Sequence, residues 1–128
     1  MKRLDEIEAR TNAATEGPWE ADGSAHVLTA DNTPTFVARC ADPDGSDAGV
    51  PDAEFIAHAR QDVPALVAAL RAVLEIHQDG GESQGYLDGG SYDFMPHCCT
   101  ECGSFGEYGV PFPCPTVTAI RQHLGEDA

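Results

Sequence analysis

Cys99-Thr100-Glu101-Cys102-Gly103, followed by Pro113-Cys114-Pro115-Thr116, is the stretch whose reading decides how this chain is built. A two-residue spacer between cysteines makes a tight turn with both thiolates on one side, and Gly103 can take the positive φ that closes it. Pro113 to Thr116 places a third sulfur at the start of what reads as the last helix, with Pro115 suited to its first turn. Three thiolates around one tetrahedral ion need a fourth donor. The candidates are His77, His97, Cys98 and His123.

His123 would lie about 12 Å along the last helix from Cys114, too far for a bond of about 2 Å to the same ion. His97 and Cys98 adjoin the knuckle, where neighbouring residues share one tetrahedron awkwardly. His77 comes off the end of the clearest helix and would tie the C-terminal segment to the rest. The expected ligands are therefore His77, Cys99, Cys102 and Cys114, with Cys98 or His97 as the substitute fourth. Five reduced, metal-free cysteines are the competing reading. With four protein donors the expected zinc is structural, since catalysis needs an open position. The zinc-deaminase pattern is absent, because Pro113-Cys114 is not followed by a second cysteine at the right spacing.

Upstream, Val63, Leu66, Val67, Leu70, Val73, Leu74 and His77 fall on one stripe in steps of three and four, which predicts a helix with a buried face. Asp52 is placed to cap an earlier helical piece carrying Phe55 and Ile56. Asp62 can cap a second with Pro64 in its first turn. The expectation is a long helix broken near Gln61, or two helices. Residues 19–21, 26–29 and 35–40 are short β-prone runs divided by Asp22-Gly23 and by Asp31 to Pro34, the spacing of a three-stranded antiparallel meander. In the third run Phe36, Ala38 and Cys40 would share a face, and Cys40 reads as a small buried hydrophobe. Leu4, Ile7 and Ala14 predict a short N-terminal amphipathic helix, ended by Gly17-Pro18. Trp19, the chain's single tryptophan, reads as a plug at the side of the core, with a ligand platform as the alternative.

The polar run 42–51 reads as a loop, and residues 78–96, with five glycines, as a partly ordered loop. Thr116 to Leu124 is the expected closing helix, stopped by Gly125. The whole is an α+β chain: a body over 1–77, a Gly-rich loop over 78–96, and a zinc knuckle with a helix over 97–128, packed as a single compact domain.

A formal charge of −15, from 22 acidic and seven basic residues, leaves no basic stripe to neutralise phosphates, so direct nucleic-acid binding is not expected. No apolar run approaches the roughly 18 residues of a membrane span, and the first residues turn acidic instead of forming a signal-peptide core. With an odd number of cysteines, five, these features point to a soluble, cytoplasmic chain without a disulfide framework.

Two parts of the chain carry a resemblance. Gly17-Pro18-Trp19, followed by Asp52-Ala53-Glu54-Phe55-Ile56-Ala57-His58-Ala59-Arg60 and Pro64-Ala65-Leu66, resembles the Ead-like family of small phage early-region proteins. Leu74-Glu75-Ile76-His77 before Cys99 to Cys102 and Pro113 to Thr116 is similar to a tail on small actinobacterial and actinobacteriophage proteins. The insert between His77 and Cys99 and the extra Cys98 depart from that tail. The resemblance implies a phage or prophage accessory product and no established activity.

The functional expectation is a non-enzymatic protein that binds and blocks a host or antiviral-defence component, either a protein or a small signalling molecule. A nucleotide signal would need Arg or backbone N–H donors, and Trp19, Arg39 and Arg60 are the candidate contacts, with Arg71 in reserve. The alternative is an acidic DNA mimic that occupies a DNA-binding protein through residues 42–54 and 78–93. A zinc hydrolase ranks below both. Self-association as a homodimer is compatible with a small binding protein.

Overall fold

A computed structural model of the chain describes residues 1–40, 49–81, 83–86, 92–104 and 108–126. Its elements are α1 (Lys2–Ala13), β1 (Trp19–Ala21), β2 (His26–Thr29), β3 (Phe36–Arg39), α2 (Val50–Ile76), β4 (Ser83–Tyr86), β5 (Tyr92–Met95), β6 (Cys98–Ser104), β7 (Tyr108–Pro111) and α3 (Pro115–Leu124). The class is α+β. The chain separates into two compact units, the first Asp5–Ala68 and the second Ala69–Ala128 together with Met1–Leu4. The boundary between them falls inside α2.

In the first unit the expected meander is present: β1, β2 and β3 pair antiparallel in that order. Its first turn is made by side chains. Asp22 Oδ1 accepts from the Ser24 N–H and hydroxyl at 2.9 and 2.8 Å, and Asp22 Oδ2 lies 3.1 Å from His26 Nδ1. These N–H and O–H donors stabilise the carboxylate and hold its pKa at about 2. The expected alternation along β3 fails because a bulge interrupts the β2–β3 register between Val27 and Leu28. Val37, Ala38 and Cys40 all pack against the core, whereas Phe36 is turned outward, 68% exposed, with its ring edge-on to His26. The core is Val27, Ala53 and Ala57, surrounded by Trp19, Ala21 and Ile56. Small residues on α2 let the helix lie close to the sheet.

The long helix corrects an expectation. It runs unbroken from Val50 to Ile76 with Pro64 inside it, and no break occurs at Gln61. Proline costs the helix one N–H bond and crowds the carbonyl four residues back. Burial on both sides of it, at Ala53 and Ala57 and again at Val67, outweighs that local cost. The helix also starts two residues ahead of Asp52, which sits in the first turn where its charge favours the N-terminal dipole. The buried stripe is narrower than its periodicity: Phe55 and Leu66, three turns apart, are 76% and 64% exposed. Of the expected 42–51 loop, residues 42–48 lie outside the described residues.

In the second unit β4 pairs with β5 and β6 with β7, both antiparallel. The segment expected as a Gly-rich loop thus contributes a hairpin over 83–95, of which 87–91 lie outside the described residues. The last helix begins at Cys114 and Pro115. It ends on Gly125 at φ 73°, where the Gly125 N–H donates to the Gln122 carbonyl at 3.1 Å and the Glu126 N–H to the Arg121 carbonyl at 2.8 Å. Only glycine takes that conformation without a steric cost. Cys99, Cys114 and Val117 are the buried centre, with Met1, Leu74, Cys102, Val110 and Phe112 packed around them.

Candidate metal centre

Four side chains of the second unit converge at that centre. His77 leaves the C-terminal end of α2, Cys99 and Cys102 lie on β6, and Cys114 stands at the N-cap of α3. Their ligand atoms lie within 4.8 Å of one another. His77 Nδ1 is 3.4 Å from Cys99 Sγ, 3.5 Å from Cys102 Sγ and 3.6 Å from Cys114 Sγ. Bonds of about 2.3 Å to sulfur and about 2.0 Å to nitrogen at tetrahedral angles give nitrogen–sulfur edges of about 3.5 Å. The three nitrogen–sulfur distances match such edges, so the four donors are consistent with one metal site in which the histidine presents Nδ1.

The backbone around the cysteines explains why the sulfurs face inward. Gly103 has φ 99°, which closes the knuckle. Burial pushes the thiols up, but at Cys99 the N–H groups of Glu101 and Cys102 and the His77 ring outweigh it, so its pKa lies below the ordinary thiol value. At Cys114 burial is likewise outweighed, by the N–H of Val117, the two neighbouring thiols and the N–H of Thr116. Cys114 stands at the N-cap of α3, where the Thr116 and Val117 N–H groups and the helix terminus favour a negative charge on its sulfur. Cys102 lacks this support: burial and its two sulfur neighbours push it up to about 12. Three adjacent sulfurs do not all ionise unaided, and a divalent cation supplies the charge that lets them.

How His77 is brought to the knuckle was not legible in the sequence. The Thr100 hydroxyl donates to the Ile76 carbonyl at 2.6 Å and accepts from the Gln78 N–H at 3.0 Å, which fastens the end of α2 to β6. Beside it the Thr100 N–H donates to the Gln78 carbonyl, Gly80 N–H to Cys98 O and Cys98 N–H to Gly81 O, at 2.9, 2.7 and 2.9 Å. A Cβ on Gly80 would fall 2.9 Å from the Thr100 methyl, so the ladder closes because residue 80 has no side chain. A threonine in a knuckle and a glycine shortly after a helix are the only sequence traces of this arrangement.

The other candidates fall elsewhere. Cys98 is buried but outside the four-residue set, and His97 is exposed with Nδ1 2.7 Å from Asp79 Oδ2. The N–H of Gly81 and the His97 ring together keep the Asp79 carboxyl below its usual range. Cys40 packs against the first unit's core. Of the three proposed ligand contacts, Trp19 and Arg60 come together, with the guanidinium carbon 5.7 Å from the indole centroid. Arg39 is not with them. It lines a different groove with His26 and Phe36. Among the described residues no helix is long and apolar enough to cross a membrane.

Comparison of the chain with protein-family models, with curated proteins and with solved structures finds no match.

Proposed function

We propose that this chain is a zinc-stapled, non-enzymatic binding protein, a phage or prophage accessory product that blocks or sequesters a host or antiviral-defence component. The observation that carries the reading is the set His77, Cys99, Cys102 and Cys114. Four protein donors would fill a tetrahedral ion's coordination shell, so the ion holds structure and leaves no position for substrate or water. Zinc is the ion such a donor set favours, with three soft thiolates and one imidazole. The phage assignment rests on the Gly17-Pro18-Trp19 and Asp52 to Arg60 resemblance. The −15 charge favours a second reading, an acidic mimic that occupies a DNA-binding protein.

Elemental analysis of the purified chain should return one zinc per chain. The cobalt-substituted protein should show the thiolate charge-transfer and ligand-field bands of a tetrahedral site with three sulfur donors and one nitrogen, and metal-free purified chain would remove the staple. Calorimetry against a panel of nucleotide messengers, with a lysate pull-down in rising salt, addresses the blocking role. Steep release as salt rises identifies the mimic. Absent heats together with an empty pull-down would overturn the binding role.

A further inference from the structure

The three sulfurs of the metal centre are not equivalent. Cys99 and Cys114 are 6% and 0% exposed, whereas Cys102 is only partly buried. The backbone divides them in the same way. The N–H groups of Glu101 and Cys102 serve Cys99, and those of Thr116 and Val117 serve Cys114. No N–H group is among the main influences on Cys102, whose neighbours are the other two sulfurs and His77 Nδ1 at 3.5 Å. A thiolate that accepts N–H bonds has its charge partly drawn off and its lone pairs partly occupied, while one without them keeps both for an incoming electrophile.

Once an ion is bound, all three ligands are thiolates, because a metal takes cysteine deprotonated. What then separates them is access and N–H donation, and both single out the same sulfur. Cys40 is the other partly buried cysteine, but it packs against the first unit's core and is no part of the donor set. Cys98 is buried and also outside that set.

We infer that Cys102 is a modification site, the ligand at which peroxides and alkylating electrophiles attack the loaded centre and release its ion. With a peroxide the chemistry closes within the cluster. The Cys102 thiolate attacks one peroxide oxygen, the O–O bond breaks, hydroxide leaves and a sulfenic acid remains on the sulfur. A second thiolate, Cys99 or Cys114, then attacks that sulfur and displaces another hydroxide as the disulfide forms. Two electrons have passed from the two sulfurs to the peroxide, and the ion is left with His77 and one thiolate, too few to hold it. The ligand atoms lie within 4.8 Å of one another, so the second thiolate is at hand. The inference rests on the reading of these four side chains as a filled metal site and adds the point at which that site opens.

The full chain, loaded with zinc, is treated with limiting hydrogen peroxide and, separately, with iodoacetamide. A chelating dye follows zinc release, and peptide mass spectrometry locates the modified cysteines. Cys102 should react first of the three ligands, about tenfold faster than Cys99 or Cys114, with zinc released at the rate at which Cys102 is lost. Under peroxide the product should be a disulfide from Cys102 to Cys99 or Cys114. Cys102→His keeps four donors and should slow peroxide-driven release about tenfold. Attack on Cys99 or Cys114 as fast as on Cys102, zinc release unrelated to the loss of Cys102, or equal release from the histidine variant overturns the inference while the metal site stands. If the histidine variant takes up no zinc, the site-resolved rates in the unaltered chain decide alone. An unaltered chain that takes up no zinc fails the metal reading, and this inference with it.

Discussion

The two units of this chain hold themselves together by different physics. Asp5–Ala68 closes a three-stranded sheet against α2 with Val27, Ala53 and Ala57, a core of small aliphatic side chains. Ala69–Ala128 has Cys99, Cys114 and Val117 at its centre, two thiols and a valine. Full burial of a valine contributes about 1.5 to 3 kcal/mol, so neither centre is rich: among its described residues the second unit fully buries only Leu4 and Val117 as aliphatic side chains to set against the entropy of ordering two hairpins. What it has in addition is the donor set His77, Cys99, Cys102 and Cys114. A structural zinc contributes apparent binding energies of about 10 kcal/mol or more, which exceeds anything so few buried side chains supply. With an ion held at the proposed site, the second unit depends on that one point more than the first depends on any single residue.

Chelation tests this contrast most severely. Removing metal should abolish hydrogen-exchange protection over residues 98–104 and 108–124 while β1 to β3 keep theirs, a regional loss of about 10 kcal/mol at its largest. Equal loss of protection in both units would break the comparison. Next in size, Val27→Ala should cost about 2 kcal/mol in the first unit, read as a lowered denaturation midpoint, with metal affinity unchanged. A parallel fall in metal affinity would mean that the two centres are not separate.

Thr100→Val sharpens the second half of the comparison. It keeps the shape of the side chain but removes the hydroxyl that joins Ile76 O and Gln78 N–H. The expected cost is about 1 kcal/mol, with metal affinity lowered about tenfold in competition with a chelating dye, because His77 loses its fixed approach. Unchanged affinity would show that the ligands position themselves without the ladder.

The smallest effect belongs to Asp22 in the first unit. Its carboxyl, ordinarily near 3.8, is held at about 2 by the Ser24 N–H and hydroxyl and by His26. A depressed folded pKa means that the contribution is complete above the unfolded value and is lost as pH falls from about 4 through about 2. Asp22→Asn should lower the midpoint slightly at neutral pH and flatten this acid limb, as read by denaturant unfolding at stepped pH. An acid limb identical to that of the unaltered chain would exclude Asp22 as its source. Cys102, pushed up to about 12 by burial and two sulfur neighbours, belongs to the other unit and should ionise with metal binding.

Much of the layout could be read from short-range pattern. The runs 19–21 and 26–29 became β1 and β2 without adjustment, and Gly103 and Gly125 took the backbone roles assigned to them, both at positive φ. Turn chemistry and capping act within a few residues, so their signals survive in one sequence. The break near Gln61 did not occur because packing on either side of Pro64 overrode a local preference. The β3 alternation failed because a bulge is a property of two paired strands. The hairpin over 83–95 was missed because glycines and scattered polar residues carry no periodic signal even when the backbone pairs.

By itself the sequence determined the α+β order, the C-x-x-C turn with its closing glycine, the cysteine at a helix start and the acidic excess. All but the last are set by neighbours a few positions apart, and the charge is a plain sum over residues. Only the tertiary structure decided that His77 Nδ1 stands 3.4 to 3.6 Å from three sulfurs, and that Trp19 and Arg60 share the Thr15 carbonyl. Distances between residues far apart in the chain depend on which donors and acceptors the fold leaves facing each other, and here a threonine hydroxyl and two side-chain-free glycines, Gly80 and Gly17, set those approaches.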